Sequence, residues 1–169
     1  TGVEILAAEQ TLSDSSWYQG TADAVRQHLA HFLNHRFDYF LILSGDQLYN
    51  INFREVIAQH VETKAELPVA TIPVQRESVP GFGIMKISDD NRITEFVEKP
   101  KEGSVIDSLR MPTVTKEQIG APLVDDLYLA SMGIYVFNRE VVVQLLDNDL
   151  TDFGKHIIPL ALEKLRAYS

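Results

Sequence analysis

A continuous apolar run, FLIL at residues 40–43, stops abruptly at a Ser-Gly pair followed by Asp46. An uninterrupted run of this kind, closed by small and acidic residues, is typical of a strand that is buried on both faces of a sheet and ends in a turn. The run therefore predicts a buried strand and places Asp46 at its carboxyl end.

Helical and strand patterns alternate along the rest of the sequence. Apolar residues spaced three and four apart predict a helix over residues 21–35 with Thr21 as its N-cap, and a second helix follows Asn52, with Glu55 three residues beyond it. This alternation predicts an α/β domain with a largely parallel sheet and ligands at the carboxyl ends of the strands. The further strands and helices are predicted at 3–7, 67–74, 81–87, 92–100, 128–137 and 139–147, and near Pro159.

Two segments depart from this alternation. The strands at 81–87 and 92–100 flank the turn residues Asp89, Asp90 and Asn91, so a hairpin is predicted there. Between about residues 101 and 126 the periodicity fades, and we expect a less regular excursion. No linker interrupts the sequence, and we predict one domain over 1–169.

Composition limits the classes of function. The net charge of −9 argues against a nucleic-acid surface, because binding to phosphates needs many clustered Lys and Arg residues. No apolar run approaches the roughly 20 residues that span a bilayer, so we predict no membrane segment. Cysteine is absent, which excludes disulfides and thiolate metal sites. No secretory leader is recognised, and a cytoplasmic location is expected.

Two charged residues at strand ends are candidates for ligand binding. Asp46 is placed to hold a hard divalent cation, although the local pattern by itself favours a turn cap. Lys99, whose position is fixed by Pro100, can offer a point charge to a phosphate, and the adjacent Glu98 can offer a carboxylate to sugar hydroxyls. The alternative is a solvent-exposed strand end, which the local pattern alone favours.

Small residues interrupt two of the predicted strands. Gly83, with a second glycine two residues earlier, either lets a ligand lie against the strand or forms a bulge. Ser131 and Gly133 indicate either a closely packed ligand or tight strand packing. DFG at 152–154 occurs in protein kinases, but the chain has no kinase glycine-rich loop and no HRD element. No HExxH arrangement is present, and no zinc site is predicted.

Six segments carry a family resemblance through their order along the chain. They are WYQGTADAVRQ (17–27), LILSGDQLY (41–49), FGIMKI (82–87), EFVEKPKE (95–102), YLASMGIYVF (128–137) and DFGKHIIP (152–159). Together they resemble the glucose-1-phosphate adenylyltransferases, also called ADP-glucose pyrophosphorylases. The resemblance covers nearly the whole chain apart from 101–126. WYQGTADA is its most specific part, since SGD and EKP occur broadly in sugar-phosphate nucleotidylyltransferases.

The resemblance implies a nucleotidylyltransferase fold, with a Rossmann-like, mostly parallel sheet and flanking helices. The family joins ATP and glucose 1-phosphate, with Mg²⁺, to give ADP-glucose and pyrophosphate. The resemblance implies that Asp46 is a metal ligand and that Lys99 holds the phosphate of glucose 1-phosphate. It implies a sugar pocket lined by Glu98, Ser131, Tyr135, Asp152 and Phe153, with Trp17 and Tyr18 near the substrates and Gly20 and Thr21 shaping the turn beside the nucleotide.

The sequence also departs from the family pattern. It lacks the glycine-rich GGGxGTRL loop and the WxDxGT element that carries the second metal aspartate, and Gln47 stands where many members have His. We therefore expect a fragment of a larger enzyme that is inactive alone. Family members are usually tetramers, so a homo-oligomer is expected. A thymidylyl- or guanylyltransferase, which WYQGTADAV disfavours, and a non-catalytic module that binds sugar phosphate or pairs with a complete subunit remain as alternatives.

Overall fold

The computed structural model describes residues 5–6, 17–44, 51–63, 67–164 and 167–168. Most of the strand predicted at 3–7 lies outside these residues, and so does Asp46. The described helices are α1 (Thr21–Gln27), α2 (Leu29–Leu33), α3 (Phe53–Thr63), α4 (Gly103–Ser108), α5 (Thr113–Gln118), α6 (Arg139–Leu146) and α7 (Ile158–Lys164). The strands are β1 (Tyr39–Leu43), β2 (Leu67–Gln75), β3 (Gly83–Ile87), β4 (Ile93–Glu98), β5 (Leu127–Asn138) and β6 (Ala167–Tyr168).

The strands form one six-stranded sheet in the order β4-β3-β5-β2-β6, and β1 also pairs with β5. Among the described pairings only β2 with β6 is parallel, whereas β5 runs antiparallel to β1, β2 and β3, and β3 to β4. The α/β class and the β3–β4 hairpin are confirmed, but the expectation of a mostly parallel sheet is not met by the described strands. A continuous apolar run reports burial on both faces, and it does not report the direction of the neighbouring strand.

Both faces of the sheet are covered, as the apolar runs predict. Alternate side chains of a strand point to opposite faces. Met85 and Leu129 belong to the larger core, which includes buried residues of α1, α6 and α7. Their neighbours Ile84 and Tyr128 belong to a second core with α4 and the 3₁₀ turn Arg76–Gly81. The centre of the sheet, β5, therefore contributes to two separate layers.

The two N-terminal helix predictions have different outcomes. The segment predicted as one helix over 21–35 forms α1 and α2 with a break at His28. Thr21 is not the N-cap, because Gly20 occupies that position. The Thr21 Oγ1 instead accepts a hydrogen bond from the Phe153 amide. The cap of α3 is confirmed. Asn52 Oδ1 accepts from the Arg54 amide at 3.2 Å, and Asn52 Nδ2 donates to Glu55 at 2.7 Å.

Helical structure is also present where periodicity did not predict it. The segment 101–126 contains α4 and α5, each of six residues, which is too short for an apolar repeat to be recognised. Near the C-terminus the helix begins before Pro159, since a π-helical turn over Phe153–Ile157 runs directly into α7. In the part of the chain that the structure describes, no helix has both the length and the apolar character needed to cross a membrane.

Candidate functional site

A cavity of about 410 Å³ opens between α1, the ends of β1 and β4, the middle of β5 and the π-helical turn. Its wall also includes Gly81–Gly83, where the 3₁₀ turn meets β3. These segments are far apart in sequence, and the sheet brings them together. The predicted site residues that line the cavity are Thr21, Gly83, Glu98, Lys99, Ser131, Tyr135, Asp152 and Phe153.

The Glu98 carboxylate lies in a narrow space between two glycines. A Cβ added at Gly83 would lie 2.8 Å from Glu98 Oε2, and one added at Gly154 would lie 2.5 Å from the same atom. Gly83 pairs in register with Glu98, and the irregularity of this hairpin lies at Lys86 and Ile87, so Gly83 is not at a bulge. Gly154 therefore makes room for the Glu98 carboxylate, whereas Gly83 makes room first for the Phe96 ring and then for the carboxylate.

The position of Glu98 changes its protonation equilibrium. Its side chain is 18% exposed. Burial raises the pKa of the Glu98 carboxyl, Lys99 opposes that rise, Asp152 adds to it, and Lys155 opposes it. Desolvation disfavours the charged form, and the nearby lysines only partly offset this effect. The cavity thus holds a carboxylate that is costly to ionise and ready to accept hydrogen bonds.

Lys99 has an unusual backbone conformation. Its φ of 47° is in the left-handed region, which non-glycine residues rarely adopt and which costs about 1–3 kcal/mol. The conformation is held by a 3.0 Å hydrogen bond from the Lys99 amide to the Phe82 carbonyl. The side chain is 56% exposed, and its Nζ lies 3.9 Å from Glu98 Oε1. The strained backbone places an accessible ammonium at the cavity wall, beside the buried carboxylate.

Ser131 and Tyr135 converge on the cavity across an irregularity in β5. They lie four positions apart, whereas their partners in β2 lie two positions apart, which marks a bulge. Gly133 adopts a φ of 68° within it and donates its amide to Ser131 Oγ at 3.1 Å. The two hydroxyl oxygens lie 3.4 Å apart. The small residues of this strand thus serve a bend that directs two buried hydroxyls to one place.

Asp152 is the N-cap of the π-helical turn, and Phe153 is its first residue. One Asp152 carboxylate oxygen accepts from the Lys155 amide at 2.8 Å, which caps the turn. The Phe153 ring is buried and stacks on Tyr135 with centroids 6.1 Å apart and planes 22° apart. The turn therefore contributes a carboxylate and an aromatic wall. π-Helical turns often occur at functional sites.

The N-terminal motif is only partly in the cavity wall. Trp17 is 71% exposed and does not line the cavity. The Tyr18 hydroxyl lies 2.6 Å from Nε2 of the buried His28, and Gly20 packs against the Thr151 backbone. Thr21 alone of the motif's predicted residues lines the cavity. Lining residues that sequence analysis did not single out are Ala24, Val25, Ile42, Leu43, Phe82 and Gly154.

The predicted metal site rests on Asp46, which lies outside the described residues. Within those residues no group of three or more His, Asp or Glu side chains is placed to hold a metal ion. Ser44 does line the cavity, and Asp46 follows it by two positions. The Mg²⁺ site therefore stays a prediction.

Two comparisons relate the chain to known proteins. The nucleotidyl transferase family matches residues 1–169. A curated relative, the glucose-1-phosphate adenylyltransferase small subunit, chloroplastic/amyloplastic, of Triticum aestivum, is 42% identical over 160 residues. The aligned part is 93% of this chain and 34% of the relative, so the chain spans about a third of that protein's length. The similarity predicted from the six sequence segments is confirmed.

Proposed function

Because this chain belongs to the nucleotidyl transferase family, we propose that its cavity is the sugar-phosphate site of a glucose-1-phosphate adenylyltransferase. The proposal follows the name of the Triticum aestivum relative, a glucose-1-phosphate adenylyltransferase small subunit. ATP and glucose 1-phosphate are the proposed substrates of the whole protein. Residues 1–169 contain neither the GGGxGTRL loop nor the WxDxGT element, and we expect this chain alone to bind the sugar phosphate without turnover.

The observation that carries the proposal is the pairing of Glu98 with Lys99 at one cavity. A hexose phosphate presents hydroxyl donors and an anionic phosphate. The buried Glu98 carboxylate suits the hydroxyls, and the exposed Lys99 ammonium suits the phosphate. The volume of about 410 Å³ is in the range of small-molecule pockets. Ser131 and Tyr135 add hydroxyls that fix orientation.

The proposed reaction is an in-line displacement at phosphorus. An oxygen of the sugar phosphate forms a bond to the α-phosphorus of ATP, the bond from that phosphorus to the bridging oxygen breaks, and pyrophosphate leaves. The protein needs no covalent nucleophile, because positioning and charge neutralisation suffice. Lys99 holds the attacking phosphate and reduces its repulsion from ATP. Mg²⁺, which we propose binds at Asp46, would neutralise charge on the phosphates.

Calorimetry with glucose 1-phosphate tests the proposal. We expect Lys99→Ala to weaken binding by about 10- to 150-fold, since a hydrogen bond to a charged group contributes roughly 1.5–3 kcal/mol. Lys101→Ala, two residues away and exposed, is the matched control and should bind like the wild type. Equal losses in both variants, or no binding by the wild type, would contradict the proposal. Binding of ATP should change much less in Lys99→Ala.

Assembly and location stay proposals as well. The relative's name calls it a small subunit, and we propose that the protein containing this chain is a homo-oligomer, as the family resemblance implies. The cytoplasmic location remains a prediction from the sequence. The name of the relative includes the words chloroplastic/amyloplastic, so a plastid location is the alternative to test.

A further inference from the structure

Two short segments, 20–23 and 151–153, meet beside the cavity although they are far apart in sequence. The Thr151 carbonyl accepts the amides of Ala22 and Asp23 at 2.9 and 3.2 Å. Gly20 packs so closely on the Thr151 backbone that a Cβ there would overlap it. In return, Thr21 Oγ1 accepts the Phe153 amide at 3.1 Å, across 132 positions. The first turn of α1 and the π-helical turn are thus joined in both directions.

We infer that Thr21 is a positioning residue, whose hydroxyl holds Phe153 and the adjoining Asp152 in the cavity wall. The first amides of a helical turn have no partner inside the helix. The Phe153 amide is one of these, and Thr21 Oγ1 supplies its acceptor. The resemblance implied that Thr21 shapes the turn beside the nucleotide. The structure adds a second contact, because the Thr21 hydroxyl also binds Phe153, which the proposed function places in the sugar pocket.

A second side chain holds the preceding peptide. The Asp152 amide donates to Nδ1 of His156 at 3.3 Å. Two successive amides are therefore fixed by side-chain acceptors, one from α1 and one from the turn itself. Phe153 is then held against Tyr135, and Asp152 is oriented beside Glu98. Within the described part of the chain, the Thr21 hydroxyl is the side-chain acceptor that ties this turn to α1.

The choice of threonine has a physical basis. Thr21 lies at the first position of α1, and its side chain lines the cavity. Serine keeps the acceptor oxygen, whereas valine keeps the shape and loses it. Thr21→Val and Thr21→Ser therefore separate the hydrogen bond from the volume of the side chain.

Amide hydrogen exchange measured by NMR on the unliganded chain tests the inference directly. In Thr21→Val we expect exchange of the Phe153 amide to accelerate by about 3- to 10-fold, the worth of one hydrogen bond, while Thr21→Ser stays near the wild type. Slow amides of β5, such as that of Phe137, report global unfolding and should not change in parallel. Thr94→Val, which removes an exposed hydroxyl on β4, is the matched control.

Glucose 1-phosphate titration completes the test and rests on the proposed function. Thr21→Val should bind several-fold more weakly, and Thr21→Ser should restore affinity. If the wild type binds no sugar phosphate, the proposed function fails, and the exchange experiment still decides the role of Thr21. Unchanged exchange at Phe153 in Thr21→Val would overturn the inference, as would a parallel acceleration of the Phe137 amide. Thr21→Ala replaces Thr21→Val if the latter does not fold.

Discussion

Glu98 is the residue at which burial and charge oppose each other most directly. Its carboxylate lies between Gly83 and Gly154, and burial raises its pKa more than Lys99 lowers it. A raised pKa means that the folded state favours the protonated form. Ionising this carboxyl in the folded protein therefore costs stability, which is a usual property of a group retained for binding.

This conflict predicts the behaviour of Glu98→Gln. A group whose pKa is raised by folding adds to the free energy of unfolding at pH values below its pKa in the unfolded chain. This added stability is lost as the pH rises through its pKa in the folded protein. We therefore expect Glu98→Gln to have a higher free energy of unfolding than the wild type at neutral pH, and the difference to vanish in acid below the ordinary glutamate pKa. Urea unfolding at a series of pH values measures this. A variant that is less stable throughout would show that the Lys99 contact outweighs the burial.

Glu98→Gln should nevertheless bind glucose 1-phosphate more weakly, because an amide offers one acceptor oxygen where the carboxylate offers two. Glu95→Gln, on the same strand but paired with Lys86 away from the cavity, serves as the control. Equal affinity in Glu98→Gln and the wild type would remove Glu98 from the proposed sugar contacts.

Single residues were predictable where their type carried the chemistry. The carboxylate of Glu98, the ammonium of Lys99 and the hydroxyls of Ser131 and Tyr135 are visible in the sequence and its family resemblance. The role of Gly154 was not, because a glycine that makes room for a carboxylate from another strand leaves no local signal. Trp17 was expected near the substrates, and the described cavity wall does not include it.

At the scale of elements, Arg139 joins α2 to α6. Arg139 is the first residue of α6, and its guanidinium donates to the carbonyl of Leu33, the last residue of α2, and to that of His35, two positions further on. Both distances are 2.8 Å. The guanidinium carbon also lies 4.7 Å from the centre of the Phe37 ring. Carbonyls at a helix C-terminus have no partners inside the helix, so one forked cation satisfies two of them.

We expect Arg139→Ala to lower the free energy of unfolding by about 1.5–3 kcal/mol, since two hydrogen bonds to a charged group and a cation–π contact are lost. Arg139→Lys should recover only part of the lost stability, because an ammonium lacks the forked N–H groups of a guanidinium that reach both carbonyls. Thermal and urea unfolding measure the change, and the exposed Arg54→Ala should stay within about 0.5 kcal/mol of the wild type. An equal effect at both positions would show that Arg139 acts only through general surface charge.

Elements were predictable in kind more than in arrangement. The strand patterns at 67–74, 81–87 and 128–137 correspond to β2, β3 and β5. Their mutual direction was predicted incorrectly, because apolar periodicity describes which faces are buried and the connections decide the direction. The helix over 21–35 was predicted without its break at His28, and α4 and α5 are too short to give a repeat.

At the scale of the whole molecule, the cavity is closed by segments from both halves of the sequence. The π-helical turn near the C-terminus rests on Glu98 through Gly154 and on α1 through Thr151. The larger core also combines residues from both halves of the sequence, since Ala22 and Ile157 belong to one buried cluster. The site and the fold therefore depend on the same long-range contacts.

Gly154→Ala tests this closure. An added methyl would lie 2.5 Å from Glu98 Oε2, so the turn must move. We expect a loss of about 1–3 kcal/mol in the free energy of unfolding, together with weaker glucose 1-phosphate binding. Gly103→Ala is the matched control, because a Cβ there meets nothing within 4 Å. If the two variants were equally stable and bound equally well, the closeness of the turn to Glu98 would be unimportant.

The order of the cavity-forming segments along the sequence has a consequence for biosynthesis. A growing polypeptide on the ribosome would display β1, β3 and β4 well before the turn that completes the binding hollow has been translated. If the proposed function holds, a nascent chain would gain its sugar-phosphate site only after residues 151–154 had left the ribosome.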